Sequence, residues 1–218
     1  MKCFANFSSD HDGSNLNTAA FDKCGVLWFT GKRGVYGRLD PKTGKVDVFD
    51  APKGSDPYMI TATLDGTVYY ASLAGSYIAR LDSDTGVATV IERPTPRQEA
   101  RRVWADSKGK LWVSEWNVGQ LGQYDPVAKT WKEWRMPGKS PDAYAIYVDD
   151  QDKVWVSDFS TNALVRFDPT TEQFESFPLP RSNAQVHKLL GRPRRSLGSR
   201  VQDRQADGRP EWRDAHQR

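Results

Sequence analysis

Apolar positions in this chain fall in short alternating runs, and the runs return as a set. Between residues 101 and 134 the order is Arg-Arg-Val-Trp-Ala (101–105), Lys-Leu-Trp-Val-Ser (110–114), Gln-Leu-Gly-Gln-Tyr (120–124) and Thr-Trp-Lys-Glu-Trp (130–134). Large apolar residues alternate with small or polar ones, which predicts strands with one buried face, and Asp-Ser-Lys-Gly and Asp-Pro between them read as turns. Amphipathic helical runs of ten or more residues are absent.

The set repeats about every 42 residues. Trp28, Tyr69, Trp112 and Trp155 occupy equivalent strand positions, spaced 41, 43 and 43. Arg38-Leu39-Asp40, Arg80-Leu81-Asp82, Gln123-Tyr124-Asp125 and Arg166-Phe167-Asp168 keep step with them, and Pro52, Pro94, Pro137 and Pro180 close each unit. Four short strands in a repeat of about 40–50 residues define a β-propeller blade. The expected class is all-β, with four blades over residues 17–56, 57–99, 100–141 and 142–182 and the start of a fifth over 183–193. The recurring aromatic is expected in the core, packed between adjacent sheets. Residues 1–16 read as an irregular segment. The abrupt start and the incomplete fifth copy suggest the middle of a longer propeller.

Residues 194–218 break the pattern. They hold seven arginines against four acidic residues and so carry the whole net charge of +3; the body before them is neutral. The body therefore offers no electrostatic case for nucleic acid. A one-base slip near Pro193 would re-read the tail as Gly-Glu-Val-Trp-Gly-Ala-Glu-Ser and restore blade sequence; the alternative is a disordered basic tail. No apolar run approaches the roughly 20 residues of a membrane span, and the N-terminus lacks a secretory pattern. A cytoplasmic monomer is expected, unless an absent N-terminal segment carries a signal. Cys3 and Cys24 have neither metal-ligand spacing nor disulfide-scaffold density.

Candidate chemistry lies where otherwise similar copies disagree, because a shared pocket must be asymmetric. Eleven residues before each landmark aromatic stand Asn17, Tyr58, Arg101 and Tyr144; three after stand Gly31, Ser72, Glu115 and Asp158; five after stand Arg33, Ala74, Asn117 and Ser160. These positions fall near the channel end of each blade, where propellers bind ligands. No nucleophile elbow, phosphate loop, zinc motif or dinucleotide fingerprint is present.

Phe-Asp-x-x-Gly-x-Leu-Trp-Phe-Thr-Gly (21–31), Gly-Arg-Leu-Asp-Pro-Lys-Thr-Gly-Lys-Val (37–46) and Ser-Phe-Pro-Leu-Pro (176–180) resemble the streptogramin B (virginiamycin B) lyase family over residues 15–193. The resemblance implies a seven-bladed propeller that opens a cyclic depsipeptide by elimination across its ester, with Mg²⁺ and with histidine and glutamate near the channel, and hence a role in antibiotic resistance. Such chemistry needs a base for a proton beside a carbonyl and a cation for the developing enolate. The family's Pro-His-Gly-Ile motif corresponds here to Pro57-Tyr58-Met59-Ile60 and Ala143-Tyr144-Ala145-Ile146, with tyrosine in the histidine slot. Its Trp-Phe-Thr-Glu motif corresponds to Trp112-Val113-Ser114-Glu115, where Asn117 replaces the family's histidine. The resemblance thus assigns Glu115 and His187 to catalysis and Glu115 and Asp158 to the metal. Tyr58, Arg101, Tyr144, Arg33 and Asn117 would contact a small molecule or cyclic peptide in the channel. The alternative reading has Glu115 satisfied by Arg101 or Arg33 across the channel. Two other readings stand beside the lyase: a propeller module that binds a ligand without turnover, and a truncated, inactive fragment.

Overall fold

The computed structural model describes residues 15–54 and 56–191. The sixteen strands form four separate antiparallel sheets, each a meander in chain order. The first contains β1 (Leu16–Phe21), β2 (Leu27–Gly31), β3 (Val35–Leu39) and β4 (Val46–Asp50). The second contains β5 (Pro57–Ala62), β6 (Val68–Ser72), β7 (Tyr77–Leu81) and β8 (Ala88–Ile91). The third contains β9 (Ala100–Ala105), β10 (Leu111–Glu115), β11 (Gln120–Asp125) and β12 (Thr130–Arg135). The fourth contains β13 (Ala143–Val148), β14 (Val154–Asp158), β15 (Ala163–Asp168) and β16 (Gln173–Pro178). The strands read from the third repeat thus lie within a residue of β9 to β12. β1, β5, β9 and β13 lie side by side in that order, so the four sheets stand as successive blades of an open propeller.

Each interface between blades is a hydrophobic layer built by strand alternation. On the second strand of a blade, the landmark aromatic faces the following blade and its neighbours face the preceding one. Trp28 packs with Ile60, Val68 and Tyr70 of the second blade. Tyr69 packs with Val103, Leu111 and Val113 of the third, and Trp112 with Ile146, Val154 and Val156 of the fourth. Trp28 and Trp112 are fully buried. Trp155 departs from expectation: it is only half-buried and meets Phe177 and Arg166 of its own sheet, because among the described residues no further sheet covers it.

Two aspartate devices repeat with the blades. Asp22, Asp106 and Asp149 each accept two turn N–H groups and the indole N–H of the landmark tryptophan six residues on, at 2.9–3.0 Å. These bonds fix the turn and satisfy the one polar atom of a buried ring. Asp40, Asp82, Asp125 and Asp168 cap the turn before the fourth strand by accepting backbone N–H groups.

In the first, third and fourth blades a hydroxyl on the second strand latches the blade to the next inner segment; the second blade has Ala71 at that position. Thr30 Oγ1 donates to the Tyr58 carbonyl at 2.8 Å, and Ser114 Oγ to the Tyr144 carbonyl at 2.8 Å. Ser157 Oγ donates likewise to the Val186 carbonyl at 2.7 Å. Residues 183–191 therefore run where a fifth inner strand is expected, but they form no strand. A strand needs a paired neighbour, and none is present beside this segment among the described residues. The Arg-rich tail with its frame-slip reading, and residues 1–14 with Cys3 and His11, lie outside the described residues.

Candidate functional site

The inner strands carry the same irregularity in every blade. Pairing with the second strand shifts register between Leu16 and Ala19, Pro57 and Met59, Ala100 and Arg102, and Ala143 and Ile146. Asn17, Tyr58, Arg101 and Tyr144 fall inside these four bulges. A bulge leaves a residue out of the ladder and re-aims its side chain, which here turns the heads of the strands toward one another. Asn15, Asp56 and Glu99, just before three of these strands, hold left-handed backbone with φ of 52°, 74° and 56°. Such strain on non-glycine residues concentrates at functional sites.

Tyr58, Arg101 and Tyr144 come together. The two phenol oxygens lie 3.2 Å apart. The Arg101 guanidinium lies 3.9 Å from the Tyr144 ring centroid and 5.0 Å from that of Tyr58, and its Nη2 donates to the Tyr58 oxygen at 3.4 Å. His187 stands edge-on to Tyr144 at 5.0 Å, and its backbone carbonyl accepts from Arg102. It lies 43 positions after Tyr144 in a segment that forms no strand, and the carbonyl of the preceding Val186 takes the Ser157 latch. A cavity of about 440 Å³ adjoins the cluster, bounded by Thr18, Met59, Arg102, Ile146 and His187 among others.

Sequence reasoning missed four members of the cluster. Phe159 stacks on Tyr144 at 4.3 Å, Trp116 meets both rings edge-on, and Lys32 Nζ lies 5.0 Å from the Tyr58 ring centroid. Lys32, Trp116 and Phe159 are equivalent, each four residues after the landmark aromatic. Their backbone N–H groups bond the residue ahead of the inner strand: Asn15, Glu99 and Asp142. The positions three and five after the landmark frame the informative one. The fourth, Arg102, adjoins Arg101 and lies 5.2 Å and 5.6 Å from the Tyr58 and Tyr144 rings.

The expected carboxylates do not join this site. Glu115 shares its strand face with Leu111 and Val113, so it points into the interface with the preceding blade. It is fully buried there in an ion pair with Arg93, neither Arg101 nor Arg33, and the Trp131 ring covers Arg93 at 4.4 Å. Burial pulls the Arg93 guanidinium down to about 9, and Glu133 opposes this. Gly122 makes room for the pair, since a Cβ there would sit 2.3 Å from Glu115 Oε1. Asp158 is also buried; it accepts from the Asp142 and Ser160 N–H groups and the hydroxyls of Ser160 and Thr161. Arg33 is exposed, and exposed Asn117 donates to the Arg97 carbonyl.

Donor chemistry is therefore wrong for Mg²⁺ as the resemblance places it. Glu115 and Asp158 are already committed, and among the described residues no three His, Cys, Asp or Glu side chains gather. The cationic groups at the cluster are Lys32, Arg101 and Arg102, against Asp56 acting on the first two, and this balance would repel a cation. Burial raises Tyr58, and its bond to Tyr144 adds to this. Burial acts upward on Tyr144 as well, but the Tyr58 and Arg101 hydrogen bonds and the two guanidinium charges outweigh it, leaving that phenol below its ordinary range.

The Virginiamycin B lyase family model matches residues 4–198. No curated protein matches the chain. Among solved structures, a catalytically inactive His-to-Ala variant of virginiamycin B lyase from Staphylococcus aureus with quinupristin is similar at TM-score 0.77 and 22% identity, over 84% of this chain and 61% of that one. A streptogramin B lyase structure follows at TM-score 0.73 and 22% identity, over 84% and 60%. The extracellular domain of a putative one component system from B. thetaiotaomicron is similar at TM-score 0.61 and 17% identity, over 77% and 25%. At such identities the likeness carries the fold. The chain spans about three fifths of the length of the lyase structures it matches.

Proposed function

Since the chain belongs to the virginiamycin B lyase family, we propose that it opens a cyclic ester of the streptogramin B kind by elimination across the ester linkage. The reaction is placed at the channel end held by Tyr58, Arg101 and Tyr144. One observation supports this above others: three successive bulges bring the unlike residues Tyr58, Arg101 and Tyr144 to a single point, beside a cavity of about 440 Å³. Elimination needs a group that accepts a proton and positive charge facing the oxygen that gains electrons. The cluster offers phenols and guanidinium groups for these tasks. No step is assigned to Mg²⁺, because the available carboxylates do not fit it.

The test is incubation with a streptogramin B depsipeptide followed by chromatography and mass spectrometry, with and without added Mg²⁺. Elimination adds no water, so the linear product has the substrate's mass and a new carbon–carbon double bond, whereas hydrolysis would add one water. Absence of a linear product in both conditions would end the lyase reading.

A second reading has its own observation. Aromatic rings enclose Arg101 at 3.9–5.0 Å from Tyr144, Trp116 and Tyr58, an arrangement suited to holding a small molecule or peptide without turnover. Saturable binding of the intact depsipeptide with no product would favour it.

A further inference from the structure

We infer that this cluster is an elimination centre that works without a metal, with Tyr144 as the base and the Arg101–Arg102 pair as the cation facing the developing negative charge. The inference rests on the lyase reading above and specifies its machinery.

The first ground is charge. Among the described residues neither Arg101 nor Arg102 forms an ion pair, and the Nε atoms of both are buried without a hydrogen-bond partner. Arg102 is 8% exposed and lines the cavity. A buried guanidinium beside a half-buried one, each with an unused buried Nε donor, is prepared for an anion. Asp56 acts on Arg101 and Lys32 by charge, without an ion pair to either; burial pushes its own acid up, and the two cations oppose this.

The second ground is the geometry around Tyr144. The Tyr58 oxygen lies 3.2 Å from its oxygen, and Arg101, Arg102 and His187 stand 3.9 Å, 5.6 Å and 5.0 Å from its ring centroid. Trp116 and Phe159 close the remaining sides with uncharged rings. Among the described residues no carboxylate bonds the phenol, and the polar groups beside its ring include Tyr58 and the two guanidinium groups. Either phenol can donate in this pair; with Tyr144 ionised, Tyr58 is the donor and Tyr144 the acceptor. A phenol poised in this way takes protons nearer neutral pH than an isolated tyrosine does.

The step balances within the substrate. The Tyr144 phenolate takes the proton from the carbon that lies between a carbonyl and the carbon bearing the ester oxygen. The C–H electron pair becomes the new C=C bond, and the C–O bond breaks with its pair leaving on the carboxylate. Arg101 and Arg102 face the enolate-like charge and then the carboxylate. Tyr144 returns to phenolate by releasing its proton to solvent; no water, oxidant or reductant is consumed.

Two measurements on the full chain test this. The first is ring opening of a streptogramin B depsipeptide in EDTA, with Tyr144→Phe, Arg102→Gln and a Tyr58→Phe control, each checked for an unchanged melting curve. EDTA should change the rate less than twofold. Tyr144→Phe should lower kcat by about 100-fold or more with KM within about threefold, and Arg102→Gln should lower kcat by at least about 10-fold. The second needs no substrate: tyrosinate absorbance against pH should show one residue titrating below the ordinary value of about 10, absent from Tyr144→Phe and shifted upward in Tyr58→Phe. Turnover abolished by EDTA, a Tyr144→Phe protein as active as the parent, or superimposable tyrosinate titrations of parent and Tyr144→Phe would each overturn the inference. If no turnover occurs while the early tyrosinate is present, the lyase reading fails and the base falls with it. If turnover occurs without the early tyrosinate, only the Tyr144 assignment fails.

Discussion

Replacing Glu115 by alanine separates a structural carboxylate from a functional one. Glu115 and Arg93 have side-chain exposures of 0% and 1%, so solvent does not screen the pair. Truncating one partner leaves Arg93 charged under Trp131 without its ion-pair partner, with only the Glu133 charge still acting on it, a loss of about 3–5 kcal/mol. For a chain of this size each kcal/mol shifts the melting midpoint by about 2–4 °C, which gives a drop of about 6–20 °C. The Arg93→Met/Glu115→Leu double variant removes both charges and fills the same space, so it should lie within about 1–2 kcal/mol of the parent. Thermal and urea unfolding followed by tryptophan fluorescence would read all three proteins, since Arg93 lies against the Trp131 ring. Ring opening by the double variant should persist. A Glu115→Ala protein that melts with the parent yet loses ring opening would refute this reasoning and return Glu115 to the reaction.

Further outcomes follow from the repeated devices. Gly122→Ala would place a Cβ 2.3 Å from Glu115 Oε1 and 2.5 Å from Arg93 Nη2, and should lower urea stability by about 1–3 kcal/mol. Asp106→Ala strands the buried Trp112 indole N–H and two turn N–H groups, a loss of about 1–3 kcal/mol in the same assay; the exposed turn at Asp22 should lose less. Ser157→Ala releases the Val186 carbonyl and should speed proteolytic cleavage within residues 183–191, with cleavage at parental rate counting against the latch. Backbone N–H groups hold Asp40, Asp82 and Asp125 below the usual carboxylate range, and Lys153 does so for Asp168. Their folded values lie below their unfolded ones, so the stability they add is present above about pH 4 and fades as pH falls through the folded values. Asp56 and Asp142, raised by burial, act the other way. The urea midpoint should be level from pH 5 to 7 and drop below about pH 4; a midpoint unchanged at pH 3 would contradict the turn-cap assignment.

The blades were legible because each is a local object. A strand and its turn are encoded within about ten residues, and four copies in register make period-2 alternation hard to mistake. Tyr58, Arg101 and Tyr144 were legible too, since copies that pack alike but differ at one position mark a shared asymmetric space. Glu115 was misplaced for a physical reason: its address in the repeat marks the end of the strand, but its parity with Leu111 and Val113 turns it into the blade interface. Arg93 lies between blades, outside the repeated strands, so no periodic argument could pair it with Glu115.

The order of residues, by itself, determined the repeat, the strands, the turn aspartates and the unlike residues at the strand heads, because all of these depend on neighbours close in the chain. Which of those residues meet was decided only in three dimensions. Backbone bulges left Asn17, Tyr58, Arg101 and Tyr144 out of the regular ladder, and the stacking of sheets brought the Tyr58 and Tyr144 oxygens, 86 positions apart in the chain, to within 3.2 Å. Side-chain direction at a bulge depends on the pairing of two strands, and pairing is a property of the folded sheet.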